Sequence, residues 1–257
     1  MLFHRIYRHE MAREWVVFVH GAGGSSVVWF KQIRAFRPWF NILLVDLRGH
    51  GKSASYGGNG SPYSLEGISS DILDVMDHRG IRKAHFVGVS LGTILIRTLQ
   101  EYHPERVRSA VYAGAVVGFT APARVLIAAG HSLKYIIPFR ALYAVFAWII
   151  MPGSKAQEAR KVFRREARSV RPAEFRRWLR LTREVHSRLA AWSSSCGDRA
   201  PTLYVMGARD YLFLPPARKA VEIDASAELE VVERAGHVCN IEQPARFNQI
   251  AIAFLKR

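Results

Sequence analysis

The sequence contains little cysteine. Of its 257 residues, Cys196 and Cys239 are the two cysteines, so no disulfide framework is implied. No Cys/His spacing typical of a zinc site occurs either, and we expect no metal. The low cysteine content favours a reducing compartment, and we expect a cytoplasmic protein.

Long uninterrupted apolar runs are also missing. The stretch "IIPFRALYAVFAWIIMPG" is broken by Pro138 and Arg140 and ends at Pro152, short of the roughly 20 residues of a spanning helix. The opening "MLFHRIYRHE" interrupts its apolar residues with His and Arg. This pattern predicts a short edge strand rather than a secretory signal, so we expect no export.

Acidic residues are scarce relative to basic ones. The chain has 37 Lys and Arg against 21 Asp and Glu, a net charge of +16. Residues 118–195 alone carry about 15 basic and about 4 acidic side chains. Such a block indicates either solvated helix faces or a surface that contacts an anionic membrane. No base-reading motif accompanies the block, so we expect no nucleic-acid partner.

Apolar runs typical of strands buried on both faces alternate with helical patterns. The predicted strands are "EWVVFVHG", "NILLVDLRG", "KAHFVGVS", "RVRSAVYAGAVV", "APTLYVMG" and "AELEVVERAGH". Helical spacing is found in "SLEGISSDILDVMDHRG", after Ser90, and in the last 16 residues, "EQPARFNQIAIAFLKR". The strand pattern stops at residue 118 and helical patterns replace it. The sequence therefore predicts an α/β core over 1–117 and 196–257 with a helical insertion over 118–195.

Ser90 stands in the sequence Gly88-Val89-Ser90-Leu91-Gly92, a G-x-S-x-G pattern between a predicted strand and a predicted helix. A nucleophile on such a sharp turn needs small neighbours, because bulkier residues would collide as the turn closes. The strand–turn–helix context favours a nucleophilic serine. The alternatives are an ordinary serine in a βα loop and a phosphate cradle at a helix N-terminus.

A serine nucleophile requires a base, and a carboxylate must orient that base. His237 follows a glycine at the end of the last predicted strand, and Asp210 lies in the loop after the preceding one. Asp224 lies farther from a strand end, and Asp198 precedes its strand, at the wrong edge of a parallel sheet. The predicted set is therefore Ser90, Asp210 and His237, all at carboxyl ends of strands, where ligands bind in α/β sheets.

The glycine-rich "VHGAGGSS" follows the first long strand and can aim backbone N–H groups inward. We expect the N–H of Ala22, or alternatively Gly23, and the N–H of Leu91 to stabilise a developing oxyanion. His20 is interpreted as a structural residue that fixes this loop.

Five segments occur in the order found in the α/β-hydrolase superfamily: "HGAGGS", "DLRGHGKS", "GVSLG", "GARD" and "GH" followed by "EQPARFN". By these segments the chain resembles the serine esterase and lipase-like branch over nearly its whole length. The resemblance implies the α/β-hydrolase fold, a mostly parallel twisted sheet flanked by helices, with 118–195 as its helical cap. It also implies that Asp46 and Arg48 are structural. Relatives that are dehalogenases or epoxide hydrolases use Asp as nucleophile, and this chain has Ser.

The implied reaction is a two-step acyl transfer that needs no cofactor. Ser90 attacks the carbonyl, His237 acts as base and then acid, and Asp210 holds the imidazolium. We expect the substrate to be a small-molecule carboxylic ester with an apolar acyl part. The alternatives are a thioesterase, a C–C bond hydrolase, a perhydrolase, a lyase, or a non-catalytic α/β-hydrolase-like binding module.

Overall fold

A computed structural model describes residues 1–193 and 199–257 of the chain. Within them a seven-stranded sheet has the order β1-β3-β2-β4-β5-β6-β7. The strands are β1 (His4–Tyr7), β2 (Trp15–Val19), β3 (Asn41–Val45), β4 (Ala84–Val89), β5 (Val107–Ala113), β6 (Thr202–Gly207) and β7 (Ala227–Val232). The edge strand β1 pairs antiparallel with β3, and the other described pairs are parallel. The α/β class and the mostly parallel sheet are confirmed.

The inner strands are apolar on both faces because helices cover both sides of the sheet. Strand β4 is buried along its whole length and lies between β2 and β5. Since these strands run in the same direction, their carboxyl ends meet at one edge of the sheet. Val19, Val89 and Gly207 end three of them, and the predicted site residues follow such ends.

Ten α-helices lie in the described part of the chain. They are α1 (Phe30–Phe36), α2 (Leu65–His78), α3 (Leu91–Tyr102), α4 (Ala121–Leu133), α5 (Phe139–Ile150), α6 (Gln157–Glu166), α7 (Pro172–Ser193), α8 (Leu214–Ile223), α9 (Cys239–Glu242) and α10 (Pro244–Leu255). The hydroxyl oxygen of Ser64 accepts from the Gly67 N–H at 3.1 Å and so caps α2. Pro104 follows the end of α3, as the sequence predicted.

Helices α4 to α7 form the segment between β5 and β6 that the sequence analysis predicted as a cap. Several polar contacts join them to the core, including the following three. The Trp178 Nε1–H donates to the Arg48 carbonyl at 3.1 Å, the Ser25 hydroxyl donates to Glu166 Oε2 at 2.6 Å, and the Tyr63 hydroxyl donates to Glu174 Oε2 at 2.9 Å. We propose that this segment is a separate cap unit. Its predicted end at residue 195, together with Cys196 and Asp198, lies outside the described residues.

The segment after β3 is held by two buried carboxylates. Asp71 accepts two hydrogen bonds of 2.8 Å from the Arg48 guanidinium, and both side chains are buried. Asp46 accepts from the N–H groups of Ser26 and Lys52 at 2.7 and 2.8 Å. These contacts give Asp46 and Arg48 the structural roles that the resemblance implied.

No helix of the described residues combines the length and apolar character that crossing a bilayer requires.

Candidate active site

Ser90 lies on a strained turn between β4 and α3. Its backbone angles are φ 54° and ψ −119°, a region that side-chain-bearing residues rarely adopt. A β-carbon on Gly88 would lie 2.9 Å from the backbone carbonyl carbon of Gly92, and one on Gly92 would lie 2.2 Å from the Val19 carbonyl oxygen. Both glycines are therefore required for the turn to close, as the G-x-S-x-G spacing predicted.

Asp210 and His237 meet at the same edge of the sheet. His237 Nδ1 lies 2.8 Å from Asp210 Oδ2, and the side chains are 4% and 2% exposed. The other carboxylate oxygen, Oδ1, accepts from the Phe213 N–H at 3.2 Å. Since a carboxylate can only accept, His237 donates through Nδ1 and presents Nε2 as a proton acceptor.

His237 Nε2 is buried and has no hydrogen-bond partner among residues 1–193 and 199–257. His237 and Ser90 line one cavity of about 60 Å³, so the imidazole and the serine border the same space. The Phe213 ring, with its centroid 4.8 Å from that of His237, covers the imidazole. A proton acceptor therefore borders the cavity that the candidate nucleophile also lines.

The loop after β2 approaches Ser90 closely. A β-carbon on Gly21 would lie 3.2 Å from Ser90 Cβ, so this loop forms one wall of the cavity. The N–H groups of Ala22 and Leu91 donate to no group in the described part of the chain. The Gly23 N–H, by contrast, donates to His50 Nε2 at 2.8 Å. Because the Gly23 N–H already donates to His50, it is disfavoured as an oxyanion donor. The N–H groups of Ala22 and Leu91 are the remaining candidates.

Two buried histidines fix this loop. His20 Nε2 accepts from the Leu47 N–H at 2.9 Å, and its Nδ1–H donates to the Gly21 carbonyl at 2.8 Å. His50 Nδ1–H donates to the Arg48 carbonyl at 3.0 Å. Burial lowers the pKa of His20 and brings the pKa of His50 to about 3. Both imidazoles are therefore neutral near pH 7, and each can donate through one nitrogen and accept through the other. The structural interpretation of His20 fits these contacts.

The cavity is apolar and lies between the core and the cap. Its walls include Val28, Val89 and Ile241 of the core and Phe146, Ile150 and Phe163 of the cap. The segment "YIIPFRALYAVFAWII" contributes two of these residues, Phe146 and Ile150. The segment "GFTAPARVLIAAG" contributes none and borders a different cavity.

The competing carboxylate, Asp224, lies elsewhere. It follows the end of α8 and accepts from Arg199 at 2.7 Å and from the Ser226 hydroxyl at 2.6 Å. Asp198 is outside the described residues. Of the described aspartates that we considered, Asp210 is the one that contacts His237.

Three contacting residues were missed in the sequence. His50 stands inside the "DLRGHGKS" segment, where its position next to a glycine could have marked it. Tyr143 donates to the Ala22 carbonyl at 2.6 Å, and Phe213 packs on His237. No local pattern announces Tyr143, because its contact depends on how the cap packs on the core.

In the ranges 1–193 and 199–257, no three His, Cys, Asp or Glu side chains are grouped so that they could hold a metal ion.

Known proteins resemble this chain over most of its length. Residues 16–250 match the model of the alpha/beta hydrolase family, and the chain belongs to that family. The "Uncharacterized carboxylesterase nap" of Bacillus subtilis (strain 168) is 26% identical over 252 residues, which cover 93% of this chain and 78% of that protein. "3-oxoadipate enol-lactonase 1" of Acinetobacter baylyi is 25% identical over 256 residues, which cover 94% and 88%.

Among solved structures, the enol-lactonase from Burkholderia xenovorans LB400 superposes with a TM-score of 0.84 at 22% sequence identity. The match covers 100% of this chain and 96% of that one. It confirms the α/β-hydrolase fold that the sequence resemblance implied.

Proposed function

We propose that the protein is a serine hydrolase that cleaves carboxylic esters with a small apolar acyl group. The observation that carries this proposal is the buried imidazole of His237. Its Nδ1 is held by Asp210 at 2.8 Å, and its Nε2, without a partner in the described chain, borders the cavity that Ser90 also lines. That arrangement supports a general base beside a nucleophile.

In this mechanism the Ser90 hydroxyl attacks the ester carbonyl and His237 Nε2 takes the hydroxyl proton. Asp210 stabilises the imidazolium that forms. The negative charge on the former carbonyl oxygen is stabilised by the N–H groups of Ala22 and Leu91, and losing one such donor costs about 3–4 kcal/mol. His237 then protonates the leaving alcohol, and a water molecule hydrolyses the acyl-enzyme by the same route.

The size of the cavity limits the acyl group. A volume of about 60 Å³ holds only a few water-sized groups, since each needs roughly 10–15 Å³ by this measure. Phe146 and Ile150 are among the cap residues that line the cavity, so their size limits the space for the acyl group. A short aliphatic acyl chain fits this space, and a long one requires the cap to move.

The test is a series of p-nitrophenyl esters from acetate to decanoate, measured with wild type and Ser90→Ala. We expect the highest kcat/KM at two to four acyl carbons and no turnover by Ser90→Ala. Ile150→Ala should move the optimum to a longer chain. Hydrolysis that is unaffected by Ser90→Ala contradicts the mechanism, and a wild-type optimum at the longest chains contradicts the size limit.

Lactones are a second substrate class, favoured by the relatives and the solved structure named enol-lactonase. A lactone is a cyclic ester, so the same three residues serve it. We expect a γ-lactone to compete with p-nitrophenyl acetate if this class is correct. The same three residues could also hydrolyse thioesters, cleave C–C bonds or form peracids, and these remain alternatives. A purely binding role predicts no turnover with any of them and no labelling of Ser90 by a fluorophosphonate.

We also propose that the cap contacts anionic membrane surfaces. Tyr135 and Ile136, between α4 and α5, are each 78% exposed, and Trp148 on α5 is exposed as well. Lys134 and Arg140 border the same groove as Tyr135 and Ile136. Exposed aromatic and aliphatic side chains beside basic ones are typical of interfacial binding.

Sedimentation with phosphatidylglycerol and phosphatidylcholine vesicles tests this contact. Wild type should bind the anionic vesicles, less at high salt, and the double variant Tyr135→Ser/Ile136→Ser should bind them more weakly. Met11→Ser removes an equally exposed apolar side chain outside the cap and should have no effect. Equal binding by all three proteins, or none by wild type, contradicts the proposal.

A further inference from the structure

A second cavity, of about 310 Å³, lies between α3, α8 and the end of α7. Its walls include the side chains of Arg97, Tyr112, Trp192, Arg199, Tyr204 and Lys219. We call it the Arg97 pocket. It has no residue in common with the cavity that Ser90 and His237 line, so it is a separate site.

Arg97 on α3 is the unusual residue of this pocket. It is only 8% exposed, yet its guanidinium makes no hydrogen bond or ion pair with the residues in 1–193 and 199–257. The guanidinium lies over the Trp192 ring, with its carbon 5.4 Å from the ring centroid. Buried arginines are normally paired, and Arg48, which is also buried, donates to both oxygens of Asp71.

The pocket carries excess positive charge. Arg97, Arg124, Arg199 and Lys219 border it, and among its described lining residues Asp224 is the one carboxylate. Asp224 is bound by Arg199 at 2.7 Å and by the Ser226 hydroxyl, and it makes no ion pair with Arg97. The charge of the Arg97 side chain is therefore not compensated by a direct contact with the described protein.

Aromatic rings and aliphatic side chains form much of the remaining wall. Tyr112 and Tyr204 pack edge to face with centroids 5.3 Å apart, and Phe119 stacks on His186. Burial raises the pKa of Tyr204 to about 12, so its hydroxyl keeps its proton and can donate to an anion. The pocket thus combines cationic and hydroxyl donors with flat apolar surface.

We propose that the Arg97 pocket binds a small organic anion, whose carboxylate or phosphate group pairs with the Arg97 guanidinium while its apolar body lies against the aromatic walls. Arginine binds either group through two parallel hydrogen bonds. The ligand is distinct from the ester cleaved at Ser90. One contact links the pocket to the nucleophile: Thr93 borders the pocket, and its hydroxyl donates to the Ser90 backbone carbonyl at 2.6 Å.

Calorimetric titration at low ionic strength tests the proposal with three probes. Benzoate and phenyl phosphate carry the two anionic groups, and benzyl alcohol is the neutral counterpart. We expect wild type to bind one or both anions more tightly than the alcohol, and Arg97→Met to weaken that binding about tenfold or more. Arg97→Lys should lose less. Arg82→Met removes an equal charge at an exposed position outside the pocket and should bind as wild type does.

Two further variants keep the result interpretable. Lys219→Met changes the exposed rim of the pocket, so it should fold even if Arg97→Met does not, and it should weaken anion binding several-fold. Ala159→Leu narrows the catalytic cavity, which benzoate could enter as a product analogue. Binding that is lost in Ala159→Leu and kept in Arg97→Met overturns the proposal. The proposal is also overturned if wild type binds neither anion. It is overturned as well if Lys219→Met and Arg97→Met both bind the anions with wild-type affinity. Ser90→Ala should bind as wild type does, which separates this result from the hydrolase assignment.

Discussion

The Tyr143 hydroxyl on cap helix α5 donates a 2.6 Å hydrogen bond to the carbonyl of Ala22 on the core. A β-carbon on Gly23 would lie 1.8 Å from the Tyr143 hydroxyl oxygen, so only glycine at that position permits the contact. Gly23 adopts φ 68°, which also favours glycine. The cap is thereby bonded to the loop that we propose carries an oxyanion donor.

Tyr143→Phe should therefore lower kcat about fivefold to tenfold and leave KM nearly unchanged. One hydrogen bond is worth about 1 kcal/mol net, and its loss frees a loop whose N–H acts in the transition state. Steady-state kinetics with p-nitrophenyl acetate measures the effect. Tyr63→Phe is the matched control, because it also removes a core-to-cap hydroxyl bond, to Glu174, but away from Ala22. Equal losses of kcat in the two variants would assign Tyr143 a general packing role.

Ser90→Gly should be more stable than wild type by about 1 kcal/mol. The strained backbone at φ 54° costs about 1–3 kcal/mol in a residue with a side chain, whereas glycine loses roughly 0.5–1 kcal/mol in chain entropy. Ser90→Ala keeps the β-carbon and should stay near wild type. Urea unfolding of the three proteins measures the differences, and an alanine variant as stable as the glycine variant would contradict the account of strain.

The stability of the protein should decrease as the pH is lowered, partly because of His50. Its pKa is about 3 when folded and near 6.5 when unfolded. Between these values the unfolded chain binds the additional proton, so stability is present above pH 6.5 and is lost as the pH falls towards 3. Each pH unit can remove up to about 1.4 kcal/mol through this residue.

Urea unfolding of wild type and His50→Gln between pH 7.5 and 5 measures this contribution. The variant should be less stable at pH 7.5, because glutamine replaces the two histidine hydrogen bonds imperfectly. Its stability should also depend less on pH. His20 remains in both proteins, so the variant should keep part of the pH dependence. Parallel curves would show that His50 does not take up the proton on unfolding.

Asp210→Asn should lower kcat/KM about 10³–10⁴-fold with the fold retained. An amide at this position can donate to Nδ1, which favours the tautomer whose Nε2 carries the proton and cannot accept one from Ser90. Kinetics with p-nitrophenyl acetate measures the loss, with far-ultraviolet circular dichroism as the check on folding. Asp224→Asn changes the competing carboxylate, which is bound to Arg199, and should keep most of the activity. The reverse ranking of the two variants would move the acid role to Asp224.

Much of the architecture could be predicted because the signals are local. The buried parallel strands appear as continuous apolar runs, and Gly88 and Gly92 around Ser90 announce a turn that only small residues permit. Asp210 and His237 could be located because each follows a predicted strand, and parallel strands place such positions at one edge of the sheet.

The remainder depends on contacts between distant segments. Helices α1 and α8 were not predicted. Helix α1 is only seven residues long, and α8 has two prolines in its first turn. The His50 contact with Gly23 spans 27 residues and the Tyr143 contact with Ala22 spans 121, so neither leaves a periodic pattern. The unpaired guanidinium of Arg97 likewise depends on the packing of α3, α7 and α8, so the sequence alone does not predict it.

The most direct test of the central claim is the rate at which a fluorophosphonate labels the protein, followed by intact mass and peptide mapping. We predict one adduct on Ser90 in wild type, none in Ser90→Ala, and labelling slowed by at least about 10³-fold in His237→Ala, since triad residues act as a unit. His78→Ala, an exposed histidine on α2, should label as wild type does. Labelling of His237→Ala at the wild-type rate, or an adduct on another residue, would contradict the assignment of Ser90 as a nucleophile activated by His237.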